Sequence, residues 1–211
     1  MYEMTANRNL PSVLRTFALS LGVAFVGLMA GVFVPPVLFL PLMILEFLLL
    51  IAVFFLRRKK AISYTFLYVF TFISGITTYP IVSHYLATVG ANTVLMALGT
   101  TTAVFTGISI YATKTKRDFS FLGGMLLAAL IALIVISIFH FFWPLSSTGM
   151  LAFSFVGVLV FSGYVLYDVN RMKKYGISAE EVPLMALNLY LDFLNLFINI
   201  LRIFGILKGN D

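Results

Sequence analysis

The chain has no cysteine, only two histidines, one tryptophan and eight acidic residues among its 211. The missing cysteine excludes disulfide frameworks, thiolate metal sites and cysteine nucleophiles together. Two histidines, His84 and His140, with no acidic neighbour in sequence, make a poor metal site. Charge is scarce as well: 10% of residues are charged and 61% are hydrophobic, against roughly 25% and 45–50% in a soluble globular chain. With 22 phenylalanines and a mean hydropathy of +1.05, one core of this size cannot hide the apolar surface, so lipid must serve as solvent for much of it. The net charge of +6 sits in short clusters between apolar runs and forms no continuous basic face. It therefore argues for membrane topology and against nucleic acid.

A bilayer-spanning helix needs roughly 20 mostly apolar residues, and seven such segments nearly fill the chain. The spacing predicts helices over 13–34, 37–56, 62–82, 92–112, 121–142, 150–170 and 184–207. Pro35-Pro36 ends the first and the basic run 57–60 stops the second. The first run is too long for a cleavable signal peptide and is expected to remain as a helix. Arg8 and Arg15, the 57–60 cluster, Lys114, Lys116, Arg117, Arg171, Lys173 and Lys174 fall on one side, and the opposite loops carry no Lys or Arg. The positive-inside rule then puts the N-terminus in the cytoplasm and, after seven spans, the C-terminus outside, with Trp143, His84 and Tyr85 at the outer interface. Gly27 and Gly31 in the first helix, and Gly99, Ala103 and Gly107 in the fourth, make small faces expected to let helices pack closely.

Glu46, Asp168, Asp192 and Arg202 lie within spans, where an ionisable group demands a partner, a wet cavity or a role. In the last segment Asn188, Asp192, Asn195, Asn199 and Arg202 step by four, three, four and three, and at about 100° per residue they share an arc of roughly 80°. Such a face cannot meet lipid. The helix is expected to lie centrally, wrapped by the other six, with its polar stripe on a hydrated path. Ser178 and Glu181 form a capping box for its start, with Pro183 in the first turn.

Asp168 lies near the cytoplasmic end of the preceding helix, and the short loop 171–183 makes the two helices antiparallel neighbours, so Asp168 and Asp192 could meet in the cytoplasmic half. Two carboxylates with little water cannot both ionise cheaply and would share one proton. Once deprotonated they offer hard oxygens to calcium, which takes roughly six to eight oxygen ligands, Asn188 and Asn195 being suitable amides. Spacing alone leaves two readings open, an ion site and a structural lock through Arg202, Arg171 or Arg57. Glu46 likewise reads as a structural partner of Arg202 or as a second ion station.

Residues 97–124 (ALGTTTAVFTGISIYATKTKRDFSFLGG), Tyr167-Asp168 and residues 186–205 (ALNLYLDFLNLFINILRIFG) together resemble the transmembrane Bax inhibitor motif family, most closely its bacterial pH-sensitive calcium-leak members. The likeness covers most of the chain from the third helix onward. It implies an all-α seven-helix membrane protein, six helices around a central seventh in one transmembrane domain, lodged in a bacterial plasma membrane. It further implies a calcium leak governed by the Asp168–Asp192 dyad, with Arg57 as the basic latch. No enzymatic activity and no bound cofactor are expected, and the partners implied are lipid, calcium ions and protons, a monomer being sufficient.

Three other classes compete. An intramembrane aspartyl protease needs a Gly-rich approach before its second aspartate, where this chain has Leu189-Tyr190-Leu191. A retinal protein needs a mid-span lysine that the last helix lacks. A proton-coupled cation exchanger could use the same dyad and is the runner-up.

Overall fold

The computed structural model describes residues 9–56 and 62–209. They form α1 (Leu10–Gly31), α2 (Phe39–Leu56), α3 (Tyr64–Val89), α4 (Ala91–Lys114), α5 (Leu122–Phe142), α6 (Ser147–Tyr175) and α7 (Val182–Gly209), with no strand among the described residues. All seven are long and apolar enough to cross a membrane, and the protein is a multi-pass membrane protein. Large apolar side chains such as Phe33, Val37, Trp143 and Leu159 are exposed, as lipid solvent requires. The last span is the most enclosed, 61% buried against 6% for the second. Its apolar flank (Leu189, Phe193, Leu196, Ile200) is as buried as its polar residues Asn188, Asp192 and Asn199.

The described residues gather into two compact units, one within Met1–His84 and Tyr175–Tyr190, the other within Tyr85–Lys174 and Leu191–Asp211. In the first unit α1 and α3 touch through glycine. A Cβ on Gly27 would stand 2.2 Å from the Phe72 carbonyl oxygen, and one on Gly75 2.0 Å from that of Ala24. The expected close packing of Gly27 and Gly31 is therefore present, Gly31 meeting the Tyr79 side chain. The capping box also forms, the Ser178 N–H donating to Glu181 Oε2 (3.0 Å) at the head of a 3-10 turn that runs into α7. Asn9 donates to the Ile177 carbonyl (2.8 Å) and ties the start of α1 to the residue before that turn.

Three expectations need correction. The third helix does not stop at 82 but continues through Pro80 to Val89. A proline in a membrane helix is tolerated where neighbouring groups satisfy the carbonyl it frees; one turn on, Ser83 Oγ donates to the Pro80 carbonyl at 3.0 Å. In the added turns the Tyr85 ring fills the space beside Gly205, where a Cβ would lie 2.1 Å away.

The Gly99–Ala103–Gly107 face is not a packing face. All three are exposed, and no atom lies within 4 Å of a Cβ built on either glycine. The buried face of α4 is Thr93, Ala97, Thr101, Phe105 and Ala112. Thr93 and Thr101 can be buried because each hydroxyl donates to the carbonyl four residues back, at 2.9 and 2.7 Å.

The sixth helix runs past 170 to Tyr175, so Asp168 lies two turns inside it. Gly176, at φ 73, then turns the chain in a left-handed conformation that glycine adopts without steric penalty.

Candidate functional site

Asp168 and Asp192 belong to the same unit, with Asn195, Asn199 and Arg202. Asn188 and Glu46 belong to the other, and Arg57 lies outside the described residues. Both aspartates are buried, at 8% and 6% exposure, and neither stands free of polar interaction.

Helix register follows from one contact. A Cβ on Gly157 would lie 2.5, 2.6 and 2.7 Å from the three terminal atoms of Asn199, so α6 and α7 meet there with only a glycine between backbone and amide. Gly157 precedes the end of α6 by about as many residues as Asn199 follows the start of α7, which makes the pair antiparallel. Asp168 is eleven residues from Gly157, within about 20° of its direction on the helix, and Asp192 is seven from Asn199, again within about 20°. Both carboxylates thus project from the faces that carry the contact. Counting at 1.5 Å per residue leaves them about 6 Å apart along the axes, one turn.

The asparagines of the stripe treat their two ends differently. Asn195 Nδ2 donates to the Leu191 carbonyl and Asn199 Nδ2 to that of Asn195, each at 2.8 Å. One amide N–H of each is thus used within the helix, and Asn199 Oδ1 is left without a partner. Arg202 is partly buried, within electrostatic reach of Tyr85.

In the other unit Glu46 accepts a short hydrogen bond from Thr77 Oγ1, and Tyr190 lies beside Ser74 and within electrostatic reach of Glu46. Glu46 is therefore held by a hydroxyl group on α3. Among the described residues, no three of His, Cys, Asp and Glu gather where a metal could sit. Any calcium at the aspartates would draw its remaining ligands from amides, hydroxyls, carbonyls and water.

Sequence reading missed Asn170. Its Oδ1 accepts the Phe119 N–H (3.2 Å) and its Nδ2 donates to the Arg117 carbonyl (3.1 Å), so one side chain clasps the α4–α5 connection. One turn on, Lys173 donates to the Thr115 carbonyl (2.8 Å) and Lys174 pairs with Asp118. The basic cluster read only as topology charge is also a strap, with Lys173 and Lys174 binding that connection to α6 five and six residues beyond Asp168. Hydrogen bonds from Lys174 and Ser120 hold the Asp118 carboxyl well below the usual carboxylate range.

A family model described as "Inhibitor of apoptosis-promoting Bax1" matches residues 6–209. The chain belongs to the Bax inhibitor-1 family. Among relatives, it is 38% identical over 174 residues to "Bax inhibitor 1" of Schizosaccharomyces pombe, covering 80% of this chain and 63% of the yeast protein. It is also 38% identical over 142 residues to "Inner membrane protein YbhL" of Escherichia coli, covering 63% of this chain and 58% of that protein. A third relative, the "Golgi anti-apoptotic protein" of Vaccinia virus, is 35% identical over 168 residues, 80% of this chain and 68% of the viral one. The chain thus spans less than two thirds of the yeast and Escherichia proteins. Membership in the Bax inhibitor-1 family agrees with the resemblance drawn from the TKRDF loop and the LYLDFLNLF helix. Both segments take part in the contacts above: the loop is what Asn170 clasps, and the helix carries Asp192 and Asn195.

Proposed function

We propose that this Bax inhibitor-1 family protein is a pH-sensitive calcium leak path, in which shared protonation of Asp168 and Asp192 sets whether cations pass beside α7. The observation that carries the reading is the pair of buried carboxylates on the two faces that meet at Gly157 and Asn199, beside asparagines that each turn an amide N–H back to their own helix. With one proton shared, the pair holds itself together and binds cations weakly. After that proton leaves, two anionic oxygens and the outward amide oxygens make a hard-ligand surface suited to a divalent ion.

In this reading Asn188, Asn195, Asn199, Glu46 and Arg202 line the path, Arg57 is the basic partner of the dyad, and the protein resides in a bacterial plasma membrane with its basic loops inside. The cargo is calcium, and protons are the signal.

The test is calcium uptake into proteoliposomes at several values between about pH 6 and 8, wild type against Asp168→Asn and Asp192→Asn. Both variants should flatten the pH profile. An unchanged profile in both rejects the dyad as sensor. Uptake that occurs only with counter-moving protons replaces a leak with an exchanger.

A further inference from the structure

Two buried polar atoms near the Gly157 contact have no hydrogen-bond partner: Ser154 Oγ on α6 and Asn199 Oδ1 on α7. Ser154 is fully buried and Asn199 is 5% exposed. Ser154 lies three residues before Gly157, on the same side of α6, so its hydroxyl sits one turn from the point where the Asn199 amide presses on the Gly157 backbone. The orientation of Asn199 follows from its Nδ2 bond to Asn195, which leaves Oδ1 as the unsatisfied end. Leaving such groups unpaired in a low-dielectric interior is costly, and proteins tolerate it chiefly where water or an ion completes the shell.

We infer that Ser154 Oγ and Asn199 Oδ1 form a neutral-oxygen station on the α6–α7 interface, where a permeating divalent cation exchanges part of its water shell, and that Gly157 sets the bore. The inference rests on the leak reading above and adds to it a place, two α6 residues and a division of labour. Hydroxyl and amide oxygens are hard, uncharged ligands: they replace hydration water on a divalent cation but hold it too weakly to trap it. The station lies about 10 Å along α7 from Asp192, so an ion handed between them alternates between anionic and neutral oxygens. Neither group titrates near neutral pH, which separates this role from that of the dyad. Gly157 matters because the Asn199 terminal atoms occupy the volume that any Cβ there would need.

The experiment compares wild type, Ser154→Ala, Asn199→Leu and Gly157→Ala with Asp192→Asn, reading calcium uptake into proteoliposomes together with thermal unfolding in detergent. Ser154→Ala and Asn199→Leu should each slow uptake roughly tenfold without moving the pH of half-maximal flux. Gly157→Ala should slow it at least as much. Ser154→Ala removes an unsatisfied atom and should unfold no earlier than wild type, which guards against misreading a folding defect. Wild-type uptake by both Ser154→Ala and Asn199→Leu, alongside a flattened profile in Asp192→Asn, overturns the station and leaves the leak reading standing. A shifted pH midpoint in Ser154→Ala overturns it too, because the residue would then belong to the sensor. No calcium uptake by the wild type overturns both readings.

Discussion

Gly157 and Asn199 meet so closely that a Cβ at position 157 would stand 2.5 Å from the amide oxygen, and this single approach fixes how α6 and α7 are staggered. The relative levels of Asp168 and Asp192 are set by that stagger.

The stagger can be tested directly, because a chain without cysteine gives no background in cross-linking. Phe161 and Asn195 lie four residues from Gly157 and Asn199 on the sides that run toward the helix connection. The double variant Phe161→Cys with Asn195→Cys should oxidise to a disulfide, which needs Cα atoms about 4.4–6.8 Å apart. Pairing Phe161→Cys with Ile206→Cys, displaced by about 16 Å along α7, should not. Faster cross-linking of the second pair on denaturing gels would contradict the register.

The Asn170 clasp predicts a local effect. Asn170→Ala removes both hydrogen bonds to the α4–α5 connection and should destabilise the protein by about 1–3 kcal/mol. Trypsin should then cut faster after Lys116 and Arg117. Asn170→Asp keeps the acceptor for Phe119 but not the donor for Arg117 and should fall between. Equal digestion rates in all three would show that the connection is held by other contacts.

The Asp118–Lys174 pair predicts where pH should not matter. Lys174 and Ser120 depress the Asp118 carboxyl, and a group depressed on folding adds stability above its unfolded value of about 4 that is lost as pH falls through the folded one. Its contribution is therefore constant from about pH 6 to 8. Asp118→Asn should leave the midpoint of the flux profile where it is. Movement of that midpoint would bring the strap into the sensor.

Glycines of two kinds separate packing from lipid exposure. Gly75→Ala must push against the Ala24 carbonyl and should lower the unfolding temperature, by about 1–3 kcal/mol in free energy. Gly107→Ala meets open space and should be neutral or stabilising by up to about 1 kcal/mol, since alanine is the better helix former. The reverse ranking in thermal unfolding would place α4 against another helix.

Much of this was legible in the sequence because it rests on local periodicity. Seven apolar runs of membrane length announce seven helices, and the step pattern from Asn188 to Arg202 marks a helix that cannot face lipid. The capping box at Ser178 and Glu181 is equally local. What sequence could not supply depends on which faces meet. The small stripe of Gly99, Ala103 and Gly107 and the stripe of Thr93, Ala97 and Thr101 are both plausible packing faces. Buried threonines won because their hydroxyls bond to the carbonyls four residues back, Thr101 within α4 and Thr93 to Val89 at the end of α3. Pro80 is a sound stop signal in water, yet α3 passes through it. The Asn170 clasp joins residues more than fifty positions apart, and a lone asparagine at a helix end gives no sign of it. Gly157 and Ser154 also escaped notice, although a serine and a glycine three apart in an apolar helix is the kind of signal that marks a close approach.

The asparagines at 195 and 199 have one more consequence. Because each amide donates to a carbonyl of its own helix, α7 carries these two side chains as a self-contained unit. A small rotation or axial slide against its neighbours would break neither of those bonds, so the polar stripe can be re-aimed without first being dismantled.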